Sequence, residues 1–267
     1  MNPILRLSLL ALVLVVLAPR GGSGDAGKAP GAADRTAIVE LFTSQGCSSC
    51  PPADRLLSKL AGDPRYQGKV IPLSFHVDYW NYIGWQDPFS SARWSDRQKL
   101  YAARAFHSNR IYTPQVVVNG RAECVGNSES QVVDRIADAL AAEPAGRVSL
   151  AVDPPTPDGH LKVKVGAKLA RGAGSGNLDL WVAIYESALS TPVKAGENAS
   201  RTLKNDRVVR RLEKVLTLPA AAGSEKSGEV VLGIDKRWKV ADLGVAAFLQ
   251  DPATLAIHGA AARELGR

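Results

Sequence analysis

The stretch Thr43-Ser44-Gln45-Gly46-Cys47-Ser48-Ser49-Cys50-Pro51-Pro52 holds two of the chain's three cysteines and separates two different apolar patterns. Before it, residues 36–42 include Ile38, Val39, Leu41 and Phe42, a short β-branched-rich run that reads as a buried strand. After it, Pro51 and Pro52 suit the first turn of a helix, where a missing N–H costs little. Leu56, Leu57 and Leu60 then form an apolar face that ends at Gly62. The cysteine pair is therefore expected at a strand-to-helix turn. Unpaired N–H groups and the positive end of a helix dipole stabilise a thiolate in such a place, and the thiolate is the nucleophile of disulfide exchange. Two cysteines at this spacing also make half of a zinc site, so spacing alone leaves both readings open.

Working outward toward the N-terminus, a basic start at residues 1–6 precedes the uninterrupted apolar run 7–18. That run is shorter than a membrane span and matches the core of a signal peptide, here placed at 1–20. A Gly/Ala/Ser/Pro-rich flexible linker follows at 21–35. Export to the periplasm or the extracellular space is expected, and an oxidising compartment lets Cys47 and Cys50 exist as a disulfide. The 267 residues, 45% of them hydrophobic, suffice for two ordinary domains. The formal charge of +7 is dispersed rather than gathered into a stripe with aromatics. It speaks for solubility, with no nucleic-acid partner and no membrane contact beyond the signal segment.

Toward the C-terminus, residues 69–77 read as a second strand, and strand, helix, strand makes a right-handed parallel unit. Chemistry in such sheets lies off the carboxyl ends of the strands, where both the cysteine turn and His76-Val77-Asp78 fall. His76 and Asp78 are thus candidates to tune the thiolate, or simply to satisfy hydrogen bonds at a strand end. Residues 75–112 hold ten of the sixteen aromatic side chains. They read as a crossover helix starting near Ser95-x-x-Gln98 and sealed to the sheet by aromatics, or as an aromatic rim that grips a ligand. Thr113-Pro114 leads into a hairpin about Asn119-Gly120, with the expected pairs Val118 with Arg121 and Gln115 with Cys124. A last helix starts at Ser128 and stops before Pro144. Glu40, a lone carboxylate in an apolar strand, is a candidate proton acceptor for a thiol or a salt-bridged residue. Cys124 reads as a small buried hydrophobe.

Three segments carry a resemblance: residues 39–54, Ser74-Phe75-His76-Val77-Asp78-Tyr79-Trp80, and Tyr112-Thr113-Pro114-Gln115. They are similar to an exported bacterial thioredoxin-like family catalogued only as a domain of unknown function. The resemblance implies that Cys47 attacks and Cys50 resolves, and that Thr113 with a cis Pro114 contacts substrate backbone. The expected fold class is an α/β thioredoxin-like domain at 36–144 followed by an all-β, sandwich-like domain at 145–267. In that second half about seven runs read as strands, including the strictly alternating Leu161-Lys162-Val163-Lys164-Val165. Asn198-Ala199-Ser200 there reads as a polar turn and a formal glycosylation pattern.

The functional expectation is thiol-disulfide exchange with a protein or small-molecule thiol or disulfide as partner, and no cofactor. Two alternatives stay open: a Cu(I)- or zinc-binding module built on the two thiols, and a binding scaffold whose disulfide only staples the turn.

Overall fold

A computed structural model describes residues 35–266. The expected signal peptide and nearly all of the linker lie outside them. Among the described residues no helix is long and apolar enough to cross a membrane.

The chain enters through strand β1 (Ala37–Thr43), every residue of which is buried. The cysteine turn follows, then helix α1 (Pro51–Gly62) and strand β2 (Val70–His76). β1 and β2 pair in parallel, with Thr43 opposite His76. Helix α2 (Ala92–Leu100) starts at Ser91, whose hydroxyl accepts from the Arg93 N–H. The cap is thus Ser91 rather than Ser95, because Ser95 and Gln98 are buried and hydrogen-bond inward. A widened turn, Tyr101–Ala105, extends this helix.

Strands β3 (Gln115–Val118) and β4 (Ala122–Val125) form the expected hairpin, shifted by one residue so that Val116 faces Cys124. Asn119 (φ 48°) and Gly120 (φ 64°) both take the left-handed conformation. The shift arises because Arg121 is looped out as an extra turn residue. The Asn119 side chain is committed to β1, accepting from the Ile38 N–H at 2.8 Å and donating to the Thr36 carbonyl. Helix α3 (Glu129–Ala141) closes this half.

The remaining strands are β5 (Gly146–Val152), β6 (His160–Leu169), β7 (Asn177–Glu186), β8 (Leu189–Pro192), β9 (Thr202–Asn205), β10 (Val208–Pro219), β11 (Glu225–Gly233), β12 (Leu243–Gln250) and β13 (Ile257–Glu264). Residues 252–256 make a turn that leads into β13. The Asp251 carboxylate accepts from the Ala253 and Thr254 N–H groups, and Leu255 has φ 62°.

The expected fold class is overturned. The protein is mostly β, 41% strand against 21% helix, so it is not an α/β domain with a separate sandwich appended. A single mixed sheet of eight strands runs β13-β12-β7-β10-β2-β1-β3-β4 through both halves of the chain. The junction is narrow: Val208 of β10 pairs in parallel with Ser74 of β2, and the Ser74 N–H donates to the Arg207 carbonyl at 2.8 Å. A β2 edge that local reading leaves open is covered by a strand more than 130 residues away. β5, β6 and β11 form a second, three-stranded sheet, and β8 and β9 a short ribbon.

Packing follows from this topology. One face of the long sheet carries α1 and α3 over β1, β3 and β4, with Leu57, Leu60, Val132 and Ile136 buried there. The three-stranded sheet covers β7 and β12 through Leu161, Val163, Leu180 and Val182. The opposite face has a core continuous across both halves, joining Phe42, Phe75, Trp94 and Tyr101 to Tyr185 and Phe248. Glu40 lies fully buried on that α2 face. It accepts from Arg97 Nε at 2.7 Å and from the Tyr101 hydroxyl, and Gln250 of β12 bonds the same tyrosine. Glu40 therefore ties β1, α2 and β12 together. Glu40→Gln weakens a charge-assisted bond in a dry site and should cost about 2 kcal/mol, read as a lower urea midpoint at unchanged slope.

A dithiol turn clamped by the second half

The cysteine turn joins β1 to α1. Cys50 is the N-cap of α1, its carbonyl accepting from the Ala53 and Asp54 N–H groups at 2.9 and 3.1 Å. Pro51 and Pro52 have no N–H, so the helix offers its first amides to Cys50 and not to the sulfur of Cys47. Both cysteines are free thiols, 1% and 0% exposed, while the intervening Ser48 and Ser49 face solvent.

The two thiols have opposite environments. The Cys47 pKa is lowered to about 6, chiefly because the Cys50 thiol hydrogen-bonds its sulfur. Ser49 and Thr113 add to this against the opposing effect of burial. The Cys47 sulfur lies 3.2 Å from the Ser49 hydroxyl and 3.9 Å from the Thr113 carbonyl. The Thr113–Pro114 peptide is cis, and Trp80 Nε1 donates to the Thr113 hydroxyl at 2.7 Å. Cys50 is pushed strongly upward by burial first, then by its bond to Cys47. A thiolate on Cys47 with a protonated Cys50 is the state this turn favours.

Beneath the thiols lies a buried polar chain. Asp54, one helical turn after Cys50, is 6% exposed, and burial raises its pKa to about 7, with His76 and Thr43 pulling the other way. Asp54 Oδ1 and His76 Nε2 have no hydrogen-bond partner among the described residues. His76 Nδ1 is 2.7 Å from Asp87 Oδ2, and neither side chain is exposed. Burial opposes charge on His76, but the Asp87 carboxylate outweighs it and raises the pKa. The Asp87 carboxylate also accepts from the Gln45 N–H at 2.8 Å, which brings this chain back to the cysteine turn.

Of the residues singled out from sequence, the structure brings Cys47, Cys50 and Thr113-Pro114 together. His76 is buried with Asp87 at 2.7 Å, and its charge bears on Asp54 through space rather than on the thiols by a bond. Asp78 bonds Ser95 at the start of α2. Glu40 points to the other face, and Cys124, its thiol pushed up to about 11 by burial, packs among α1 and α3 residues. The aromatic segment mainly seals α2 to the sheet through Phe75 and Trp94, with Tyr82 left 82% exposed.

Sequence alone does not single out Asp54, although its place four residues after Cys50 on one helix face is a readable signal. Nor does it single out the loop between β8 and β9. Asn198, fully buried, donates to the carbonyls of Gln45 and Cys47, each at 2.9 Å. Glu197 accepts from the Ser48 N–H at 2.8 Å. The glycosylation pattern at Asn198 is thus closed to modification. Asn198→Ala leaves two carbonyls unpaired and should cost about 1–3 kcal/mol. It should also raise the hydrogen-exchange rate of the turn amides more than that of β1, which localises the loss.

Similar solved structures include protein AGR_C_4864 from Agrobacterium tumefaciens. It is 33% identical, with 86% of this chain and 94% of that chain covered at a TM-score of 0.63. HBP35 of Porphyromonas gingivalis is 14% identical, with 88% and 76% covered at a TM-score of 0.62, a likeness of fold alone. No curated protein matches. The model of a family described as "Protein of unknown function (DUF1223)" matches residues 38–250, and the chain belongs to that family.

Proposed function

We propose that the protein is an exported thiol-disulfide oxidoreductase in which Cys47 is the nucleophile and Cys50 the resolving thiol. The likeness to the thioredoxin-like superfamily is confined to the site, a Cys-x-x-Cys turn whose Cys47 sulfur lies 3.9 Å from the carbonyl before a cis proline. The observation that carries the reading is geometric: two free thiols share one strand-to-helix turn, and the Cys47 sulfur lies 3.9 Å from the carbonyl that precedes cis Pro114; the opposed tuning of the two thiols, Cys47 down to about 6 and Cys50 upward, agrees with it.

In the reductive direction the Cys47 thiolate attacks one sulfur of a substrate disulfide. The substrate S–S bond breaks, its second sulfur leaves as a thiolate, and a mixed disulfide forms. Cys50 then gives its proton to Asp54 and attacks the Cys47 sulfur. The Cys47–substrate bond breaks and the Cys47–Cys50 disulfide remains, so the substrate gains two electrons and the dithiol loses two. Run backward, the same steps oxidise a substrate dithiol. Thr113 and Pro114 flank the sulfur where substrate backbone would lie. Because Cys47 is 1% exposed, attack needs the exposed outer residues Ser48 and Ser49 to give way.

The test is the reduction potential of the Cys47/Cys50 pair, equilibrated against a glutathione series with Cys124→Ala as control. A value within roughly −120 to −270 mV is expected. A pair more reducing than roughly −300 mV would make it a structural staple, and a pair that never oxidises would leave a metal-binding or scaffold role.

A further inference from the structure

A cavity of about 510 Å³ lies at the other end of β1 from the cysteine turn. The β3–β4 turn, the C-terminal end of α3 and the start of β13 wall it. Arg35, Arg121, Arg135, Arg171 and His258 line it, against the two carboxylates of Asp138 and Glu143.

Some of these charges have structural work. Arg135 pairs with Asp138 at 3.7 Å. Arg35 Nη1 donates to the Ala141 carbonyl at 3.1 Å, and Arg171 donates to the carbonyls of Glu143 and Pro144. The first closes the carbonyl of the last residue of α3, and the others hold the chain just beyond the helix.

What remains is Arg121, His258 and an unpartnered Arg35 nitrogen. Arg121 Nη2 lies 3.4 Å from His258 Nδ1. A guanidinium only donates, so Nδ1 accepts and the imidazole proton sits on Nε2. That Nε2 and Arg35 Nε are both buried with no partner among the described residues. Arg121 is also held below its ordinary pKa by burial and by the neighbouring Arg171, so like charges face each other across the cavity. Four guanidiniums against two carboxylates leave the lining with an excess of positive charge, the complement of an anion, and Val118, Ala139 and Ile257 supply an apolar wall beside them.

We propose that this cavity binds a small organic anion, whose carboxylate or phosphate oxygens accept from the Arg121 guanidinium beside His258, with Arg135 and Arg171 adding positive charge to the walls. The site is separate from the dithiol and does not depend on its chemistry.

Calorimetric titration of the full chain at low ionic strength tests it, with inorganic phosphate and succinate as probes. Saturable 1:1 binding of at least one probe is expected, weakened at least tenfold by Arg121→Gln. Binding by phosphate alone or by succinate alone tells which oxygen acid is preferred. The His258 imidazole gives a second reading by NMR in the unaltered protein. Burial and Arg121, aided by Arg171 and opposed by Asp251, hold its pKa near 4, and a bound anion should move it upward. The proposal is overturned if neither probe binds. It is equally overturned if binding is the same in Arg121→Gln and the His258 titration does not move.

Discussion

Cys47→Ser should abolish disulfide reduction, lowering the rate by at least ~1000-fold, whereas Cys50→Ser should still make the first attack and accumulate the mixed disulfide. The asymmetry follows from the turn. With its pKa at about 6, Cys47 is roughly nine-tenths thiolate at pH 7, against a few per cent for an ordinary cysteine. Cys50, pushed upward by burial, stays protonated. Alkylation by iodoacetamide should therefore modify Cys47 first, with a rate that falls as pH drops through about 6. A Cys50→Ala variant removes the thiol that hydrogen-bonds Cys47 and puts no other donor in its place. Its alkylation midpoint should move upward even though the nucleophile is intact. Preferential labelling of Cys50, or equal exchange activity in the two serine variants, would refute the assignment.

The site was more legible than the fold because its signals are local. Pro51-Pro52 after a cysteine pair, an apolar run before it and Thr113-Pro114 downstream each constrain only a few residues of backbone, and those constraints hold whatever the chain does elsewhere. The long sheet is another matter. Nothing within residues 70–76 says that the free edge of β2 is taken by Val208, because an edge strand and a central strand of a buried sheet read alike when both faces are apolar. The same limit hid Asn198. Its amide reaches the Cys47 carbonyl only because the β8–β9 ribbon is carried there by β7 and β10, and a polar residue in a turn-like pentapeptide reads as solvated. Glu40 shows the converse case. Its place in an apolar strand correctly marked it as special, but alternation along β1 puts it on the α2 face with Arg97, away from α1 and the thiols. The buried carboxyl one turn beyond Cys50 is instead Asp54, on the helix that follows the thiols.

That acid, Asp54, should show opposite effects on stability and rate. In the unfolded chain it ionises near 3.8, whereas burial in the folded protein holds its proton until about 7. Between those values the folded state keeps a proton that the unfolded state has released, so stability falls as pH rises through the window. Above pH 7 the protein carries a buried carboxylate, a loss of up to about 4 kcal/mol relative to low pH. Asn is nearly the same shape and cannot ionise. Asp54→Asn should therefore flatten this slope and make the protein roughly 2–4 kcal/mol more stable at pH 8, measured by urea unfolding across pH. Activity should move the other way. Cys50 must lose its proton to resolve the mixed disulfide, and a neighbouring acid with a pKa near 7 and an oxygen free of other bonds is suited to take it. Without that acceptor the resolving step should slow about 100-fold or more, with the first attack by Cys47 little changed. The wild-type resolving rate should rise with pH through about 7, and this inflection should vanish in the variant. A purely structural Asp54 would leave the inflection in place while altering the unfolding curves. A variant that gains stability and loses only the second chemical step is the signature of a residue kept ionisable at the expense of the fold.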